Sequence, residues 1–185
     1  MDDLYIRKVL NGETEEFRYF IKQYKDLAFS VAFSVVKNEF TAAEVVQESF
    51  VKAYESLKSF KGESKFSTWL CRIVINESFK TARKEKRTVT ENGFVSAKDY
   101  QENPLVFDEL KESEQKYYIN ACLNRLQANE SLVLRLFYLA ENSIKEICEM
   151  TGWSESNVKV HLHRGRKNMQ ELLEKMLNTE VKSLY

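Results

Sequence analysis

The sequence predicts an all-α protein made of two small helical domains joined by a linker. Its 185 residues include only 5 Gly and 1 Pro, whereas all-β folds with many tight turns use more of both. Apolar residues recur at steps of three and four along two long blocks, which is the period of an amphipathic helix. Between the blocks this pattern stops. We therefore expect one domain over residues 1–88, a linker over 89–112 and a second domain over 113–185.

Three helices are predicted in the first block. The first spans residues 14–36, with Thr14 as a candidate N-cap. The second spans residues 42–58 and opens on Thr41-Ala-Ala-Glu44, which has the pattern of a capping box. The third runs from about Ser67 to Arg83, and basic residues gather at its far end.

The segment between the blocks contains Asn-Gly, Asn-Pro and mostly acidic side chains, which favours a linker. Residues 89–116 hold 3 basic and 7 acidic residues, whereas residues 1–88 hold 16 and 13 and residues 117–185 hold 9 and 8. The formal net charge of zero therefore hides two weakly basic blocks around an acidic middle.

Helices resume near Ser113 in the second block. The first apolar stripe there is Tyr117, Ile119, Cys122, Leu123 and Leu126. Asn129 is a candidate cap for the following helix. That helix is expected to bury Leu132, Val133, Leu136, Phe137 and, at its end, Leu139. Ser143-Ile-Lys-Glu146 is a second capping box, for a short helix that ends at Thr151-Gly152, and Ser154 then caps a long helix to about Leu177.

Residues 143–165 fit a helix-turn-helix. Gly152 allows the sharp turn, and Val158 and Leu162, four residues apart, anchor the second helix on the core. The side chains left mostly outward are Ser156, Asn157, Lys159, Val160, His163, Arg164, Arg166 and Lys167. Such a helix presents its first turns to base edges and its basic side chains to phosphates. A helical hairpin with a solvated basic face is the alternative interpretation.

Two further surfaces are predicted in the first block. One side of the third helix carries Trp69, Arg72, Asn76, Lys80 and Arg83. An aromatic ring beside basic residues suits stacking on unpaired bases and holding phosphates. The second helix instead borders its apolar face with Glu44, Gln47, Glu48 and Glu55, which suits a protein partner. For both helices, a solvated amphipathic face is the alternative interpretation.

Several classes of protein are not expected from this sequence. It has no Ser/His/Asp set, no phosphate-binding loop and no carboxylate pair with metal spacing, so we expect no catalysis, cofactor or metal. His161 and His163 are two residues apart and point in different directions on a helix. Cys71, Cys122 and Cys148 are scattered, which favours buried thiols over disulfides. With no run of 18 apolar residues and no secretory h-region, a cytoplasmic protein is expected.

The strings AAEVVQESFVKAYESLKSF and KFSTWLCRIVINESFKTARKEKR resemble the second domain of bacterial sigma factors. LNRLQANESLVLRLFYLAENSIKEICEMTGWSESNVKVHLHRGRKNMQELL resembles their fourth domain, so the chain is similar over nearly its whole length to the extracytoplasmic-function (ECF) group. The resemblance implies a promoter-recognition subunit without catalytic activity. It would bind core RNA polymerase through the β′ and β subunits and direct transcription initiation at a specific set of promoters, such as a stress or envelope regulon. An anti-sigma factor is implied as a further partner.

The resemblance also assigns roles to residues. Contacts with core polymerase would come from Glu44, Val45, Gln47, Glu48, Phe50 and Tyr54. The melted minus-ten element, with one base flipped into a pocket, would be bound by Lys61, Ser64, Lys65, Phe66, Trp69, Arg72, Asn76, Lys80 and Arg83. The outward residues of the long helix would read the minus-thirty-five element in the major groove. Val160 and His161 stand where Ser and Arg are common, which implies an unusual sequence preference there.

Two other functions stay open at this point. One is a stand-alone helix-turn-helix regulator whose N-terminal domain senses a ligand or dimerises, and it would bind duplex DNA without polymerase. The other is a helical adaptor that does not bind DNA.

Because neither DNA-facing block is strongly basic, the affinity of the protein alone for duplex DNA should be weak and salt-sensitive. Two weak sites tethered to one polymerase would gain from effective concentration. The resemblance implies that the acidic linker lies in the basic RNA-exit path of the polymerase, as linkers of the family do.

Overall fold

The computed structural model describes residues 1–91 and 114–183, and every regular element in these ranges is a helix, which confirms the predicted class. The α-helices are α1 Asp2–Leu10, α2 Arg18–Val36, α3 Glu39–Ser56, α4 Phe66–Glu91, α5 Glu114–Arg125, α6 Ala128–Leu134, α7 Ile144–Thr151 and α8 Glu155–Ser183. Short 3-10 turns occupy Thr14–Phe17 and Leu57–Ser59, and α6 continues into a π turn, Arg135–Leu139. Except for the end of α4, the predicted linker lies outside the described residues.

Helix α1 was not predicted from the sequence. It buries Ile6 and Val9, and Asp2 in its first turn accepts hydrogen bonds from the hydroxyls of Tyr19 and Tyr24 at 3.0 and 2.6 Å. The Tyr5 ring stacks on the Tyr19 ring with centroids 3.9 Å apart. A nine-residue helix shows too few turns for periodicity to reveal it, and these contacts with α2 supply the stability that its own sequence lacks.

Two predicted helix starts differ in the structure. Thr14 opens a 3-10 turn, so α2 begins at Arg18 rather than at residue 14. Asn38 caps α3 instead of Thr41, because its side-chain oxygen accepts a hydrogen bond from the Thr41 backbone N–H at 2.9 Å. The Thr41 hydroxyl donates instead to Glu85 on α4 at 3.0 Å. Asn and Thr are both good caps, so the pattern alone did not distinguish these starts.

One cluster of buried apolar side chains runs through both domains, and its first-domain part lies among α2, α3 and α4. The fully buried large side chains of this part are Phe20, Val31, Val45, Leu57, Leu70, Val74 and Ile75. Aromatic rings close one end of this core, where Phe66 lies 4.2 Å from Phe20 and 5.5 Å from Trp69 between ring centroids. This arrangement fixes the direction in which the beginning of α4 faces solvent.

The second domain packs α6, α7 and α8 around an aliphatic core. Its fully buried large side chains are Leu132, Val133, Leu136, Ile147 and Met150, joined by Val158 and Leu162 of α8. A Cβ at Gly165 would lie 3.0 Å from Leu134 Cδ1, so the glycine lets α8 approach α6 closely. The predicted capping box at Ser143 and the left-handed turn at Gly152, with φ 72°, are both present.

Several predicted details of the second domain are wrong. Gln127 stands at the N-cap of α6 and Asn129 lies in its first turn. Tyr117 and Ile119 are exposed because the described neighbours cover α5 only toward its end, and Leu139 is exposed on the π turn. Cys71 and Cys122 are buried as expected, whereas Cys148 is half-buried, and all are free thiols. No helix within the described ranges is long and apolar enough to span a bilayer.

Candidate functional site

The most exposed basic surface lies on the first half of α8. All the residues predicted to face outward are exposed: Ser156, Asn157, Lys159, Val160, His163, Arg164, Arg166 and Lys167. Val158 and Leu162 are buried and anchor the helix. The Ser154 hydroxyl accepts a hydrogen bond from the Asn157 backbone N–H at 3.3 Å, which fixes the start of the helix as predicted. The helix therefore presents most of its circumference to solvent, as insertion into a major groove requires.

Local contacts shift the pKa values of two side chains on this helix. Lys159 Nζ lies 2.5 Å from Glu155 Oε1, and the hydrogen bond from Lys159 lowers the pKa of Glu155. His161 instead turns toward Trp153, with ring centroids 5.1 Å apart, and burial lowers its pKa. In the described part of the chain, no group of three or more His, Cys, Asp or Glu could hold a metal ion. His161 therefore packs toward the turn before α8, whereas His163 belongs to the exposed basic surface.

One contact at this surface was not foreseen. Arg166 Nε donates a hydrogen bond to the Tyr138 hydroxyl at 2.8 Å, and its guanidinium lies 5.5 Å from the Tyr138 ring centroid and 5.8 Å from that of Phe137. Tyr138 is exposed and lies on the π turn that follows α6. Because the partners are separated by 28 residues, no local pattern could reveal the pair. The contact holds one basic side chain in a fixed direction.

A second basic surface lies along α4. Arg72, Asn76, Lys80 and Arg83 are exposed on one side of the helix, and Lys61 and Lys65 are exposed on the loop before it. Ser64 is half-buried on that loop, and its hydroxyl donates to the Lys65 carbonyl at 3.4 Å. Trp69 is half-buried against Phe60, with ring centroids 5.3 Å apart. Lys65 pairs with Glu146 at 2.8 Å and Lys80 with Glu77 at 3.4 Å. The surface therefore combines both paired and exposed cations with the exposed part of an indole ring.

Phe66 does not belong to this exposed surface. Its side chain is 2% exposed and packs among the rings of Phe20, Phe60 and Trp69. This corrects its place among the candidate minus-ten contacts. It supports Trp69 from behind instead of reaching a ligand.

A cavity of about 340 Å³ opens between α1 and the loop that precedes α4. It is lined by Asp3, Ile6, Arg7, Phe60, Lys61 and Gly62. Only Lys61 among these was a candidate from the sequence. Asp3, Ile6 and Arg7 lie on α1, a helix that the sequence interpretation did not predict. The cavity combines apolar walls with side chains of both charges, which suits a group that stacks and forms hydrogen bonds.

The outward face of α3 differs from both basic surfaces. Glu44, Gln47 and Glu48, which the sequence places at the border of the apolar face, are exposed. Tyr54 is exposed as well, beside Phe40 at 83% and Val51 at 51% exposure, which the sequence interpretation missed. Val45 and Phe50 are buried in the domain core, which corrects their place among the candidate contacts. Glu48 pairs with Lys52, and hydrogen bonding to Lys52 lowers its pKa. An exposed apolar and acidic helix face of this kind suits a protein partner.

Comparison with known families matches both domains. Residues 20–88 match the family model described as Sigma-70 region 2, and residues 116–169 match the model described as Sigma-70, region 4. The chain is 28% identical to the ECF RNA polymerase sigma factor SigW of Bacillus subtilis, over 91% of this chain and 94% of that protein. It is 30% identical to a probable RNA polymerase sigma factor of Haemophilus influenzae, over 74% of this chain and 78% of that protein.

Solved structures show the same fold. The sigma factor RpoE of Bartonella quintana, in complex with the anti-sigma factor NepR, superposes with a TM-score of 0.72 at 23% identity, covering 86% of this chain and 98% of that one. CnrH in complex with the cytosolic domain of CnrY gives a TM-score of 0.62 at 20% identity, covering 93% and 96%.

Proposed function

We propose a division of labour among the surfaces of this chain, which belongs to the extracytoplasmic-function group of the sigma-70 family of RNA polymerase sigma factors. It is a promoter-specific transcription initiation factor that works with core RNA polymerase and promoter DNA, and it is not an enzyme. The observation that carries the proposal is the separation of chemistry among α3, α4 and α8. Their exposed faces are respectively acidic and apolar, basic with an indole ring, and basic without one.

We assign the outward face of α3 to core polymerase, where it would meet the β′ subunit, with the rest of the chain reaching β. The contacts we propose are Glu44, Gln47, Glu48 and Tyr54, extended by Phe40 and Val51. The exposed apolar side chains Phe40, Val51 and Tyr54, eleven and three residues apart, lie on one side of the helix, which suits docking on a partner helix. Reversing the charge of Glu44, which has no described ion-pair partner, is expected to weaken assembly with core without changing the free energy of unfolding.

We assign the α4 surface to the melted minus-ten element. The exposed Arg72, Lys80 and Arg83 would follow the phosphates, and Trp69 would stack on a base. The cavity beside Lys61 would take the flipped base, with Asp3 or Arg7 reading its edge. This assignment extends the predicted site to α1.

We assign the first half of α8 to the minus-thirty-five element. Lys159, His163 and Arg164 would reach base edges, and Val160 would contact a thymine methyl. Arg166 and Lys167 would bind phosphates, with Arg166 directed by Tyr138.

We place the two functional domains at residues 1–88 and 113–185, joined by the acidic segment 89–112, and the protein in the cytoplasm. Because the two solved relatives are bound to NepR and to the cytosolic domain of CnrY, we propose that an anti-sigma factor also controls this chain. A stress or envelope regulon would fit that control.

Run-off transcription tests the proposal directly. Purified core polymerase is assayed with and without this protein on fragments of its own upstream DNA. Discrete transcripts that depend on the protein are expected, and their start sites map the promoter. Failure to bind core, combined with a shift of duplex DNA by the protein alone, would instead identify a stand-alone regulator.

A further inference from the structure

The two histidines of the chain lie two residues apart on α8 but have different surroundings. His163 is exposed, whereas His161 is half-buried against Trp153, with ring centroids 5.1 Å apart and ring planes inclined by 44°. Among residues 155–167, His161 alone is neither buried nor exposed. It therefore stands at the border between the core and the surface proposed to bind the minus-thirty-five element.

The ring on which His161 packs is held by the turn before α8. The backbone N–H of Trp153 donates to Thr151 Oγ1 at 3.2 Å, and this hydroxyl donates to the Ile147 carbonyl at 2.7 Å. Gly152 between them has φ 72°, as the tight turn requires. His161 thus joins the first turns of α8 to a turn that is anchored on α7.

The inward position of His161 suits the neutral imidazole. Its Nδ1 is buried and has no hydrogen-bond partner in the described structure, so a proton there would meet no acceptor. The charged groups that face the ring are Glu130 of α6 and Arg164 of α8, and the turn contributes the uncharged Trp153. Glu130 Oε2 already accepts a hydrogen bond from Asn168 at 2.9 Å. Burial lowers the pKa of His161 from its usual 6.5, Glu130 opposes this shift, and Arg164 adds to it.

A protonated ring has a second place to go. Residues three and four apart share one side of a helix, so His161 adjoins Asn157 and Arg164, which are both exposed. Rotation about the side-chain bonds of His161 carries the ring toward them and away from Trp153. Two like charges repel on a bare surface, whereas a phosphate between them attracts both. DNA therefore favours the outward, protonated ring.

We propose that His161 is a proton-dependent phosphate contact of the minus-thirty-five surface: the neutral ring packs on Trp153, and the protonated ring turns outward beside Arg164 to bind DNA. Binding then takes up one proton, so the affinity for duplex DNA increases as the pH falls and decreases as it rises. The inference rests on the proposed function of α8 only for the DNA contact. The movement of the ring is a property of the free protein.

The movement is measured by nuclear magnetic resonance on the full-length free protein carrying His163→Gln, which leaves one titrating imidazole. At pH 8 we expect a nuclear Overhauser contact between the rings of His161 and Trp153, and its loss as the imidazole protonates with a midpoint below 6.5. The Phe137–Tyr138 ring contact, 4.9 Å between centroids in the same domain, should persist and distinguish turning of the ring from acid unfolding. Retention of the Trp153 contact after protonation, or its absence at pH 8, would overturn the proposal.

The DNA contact is measured from the salt dependence of holoenzyme affinity for duplex minus-thirty-five DNA, in the same His163→Gln background. One added phosphate contact makes the slope of log affinity against log salt concentration more negative by about 0.9. We expect this change, with a several-fold gain in affinity at fixed salt, between pH 8 and pH 5.5. His161→Gln in the same background is the matched control and should keep one slope at both pH values. Equal changes with His161 and with Gln would show that another group takes up the proton, which contradicts the proposal.

A permanent cation at this position supplies the complementary test. His161→Arg in the His163→Gln background should have the steeper slope at both pH values, because its guanidinium stays charged. A slope equal to that of His161→Gln would show that this position cannot reach a phosphate. Normal DNA binding without these slope changes overturns the role of His161 and leaves the function of α8 intact. Unchanged binding in Lys159→Glu with Arg164→Glu would instead remove the assignment of α8, and the phosphate contact with it.

Discussion

The two basic helices meet solvent in opposite ways. Helix α4 packs against α2, α3 and α7, and as far as Lys80 it exposes only the row Arg72, Asn76 and Lys80. Helix α8 contacts α5, α6 and α7, but in its first turns only Val158 and Leu162 are buried and His161 is half-buried, while the other side chains are exposed. A helix embedded on several sides suits a flexible strand that comes to it. A helix held along one edge can itself enter a groove about 12 Å wide.

The aromatic side chains follow the same division. Trp69 stands beside the basic row of α4 and is supported by Phe60 and Phe66. The sequence of α8 contains no Phe, Tyr or Trp, and its nearest ring on the exposed side is Tyr138, which contacts Arg166. Stacking on unpaired bases is therefore available at α4, whereas α8 is equipped for hydrogen bonds and phosphate contacts.

The largest expected effect comes from reversing charge on α8. Lys159→Glu combined with Arg164→Glu should reduce run-off transcription about 100-fold or more, because two base contacts are replaced by repulsion from DNA. The control is Lys22→Glu with Lys25→Glu, which makes the same change in charge at exposed positions of α2. Binding of the holoenzyme to a single-stranded minus-ten oligonucleotide should be unchanged in the α8 variant. Weaker binding of the α8 variant to this oligonucleotide would contradict the assignment of α4 and α8 to different promoter elements.

A smaller effect is expected at α4, and it concerns binding to the minus-ten element instead of the minus-thirty-five element. Trp69→Ala should weaken holoenzyme binding to the single-stranded minus-ten oligonucleotide about tenfold, because one stacked base is lost. It should also lower the free energy of unfolding by about 2 kcal/mol, since the indole packs on Phe60 and Phe66. Trp69→Phe separates these effects by keeping the packing and part of the stacking. Equal weakening of duplex minus-thirty-five binding would show that the variant is merely misfolded.

The two domains pack directly against each other, with α2 contacting α6 and α4 contacting α7, and the Lys37 ammonium at the end of α2 donates to the Leu123 carbonyl at 3.2 Å. We call this packing the closed arrangement, and its stability should depend on pH. Burial and the charge of Arg135 lower the pKa of Lys37 from 10.5 to about 7. Between these values the open form binds more protons than the closed form, so closure is strongest near the top of the window, weakens as the pH falls, and levels off below about 7. Burial also lowers the pKa of Arg135, to about 10, at the upper end of this range.

Small-angle scattering of the free protein measures this dependence. The radius of gyration should increase as the pH falls from 10 toward 7. Lys37→Met removes the titrating amine, so the radius of gyration of this variant should depend less on pH. Near pH 7 it should be smaller than that of the unaltered protein. The same slope in both proteins would show that another group controls closure.

Sequence periodicity correctly predicted which side chains of α8 face the core, because this depends only on local helix geometry. Val158 and Leu162 fall inward and their neighbours outward because a helix of fixed pitch leaves no other arrangement. Motif resemblance was less accurate, since it grouped Val45, Phe50 and Phe66 with surface contacts although all are buried. The strings that resemble the family contain supporting residues as well as contact residues, and only the packing separates the two. The contacts of Lys37 and Arg135 join distant parts of the chain and leave no local pattern.

The smallest expected effect would sharpen the comparison at α8 alone. Tyr138→Phe removes the acceptor for Arg166 Nε but keeps the ring beneath the guanidinium, so holoenzyme affinity for duplex minus-thirty-five DNA should fall by about 1 kcal/mol, roughly fivefold. In an Arg166→Gln background the same change should have no further effect, because Tyr138 acts through Arg166. Tyr117→Phe, at another exposed tyrosine of the domain, is the control. If Tyr138 instead contacted DNA directly, its effect would persist without Arg166. Binding of the single-stranded minus-ten oligonucleotide should be unchanged throughout, since no part of α4 is altered.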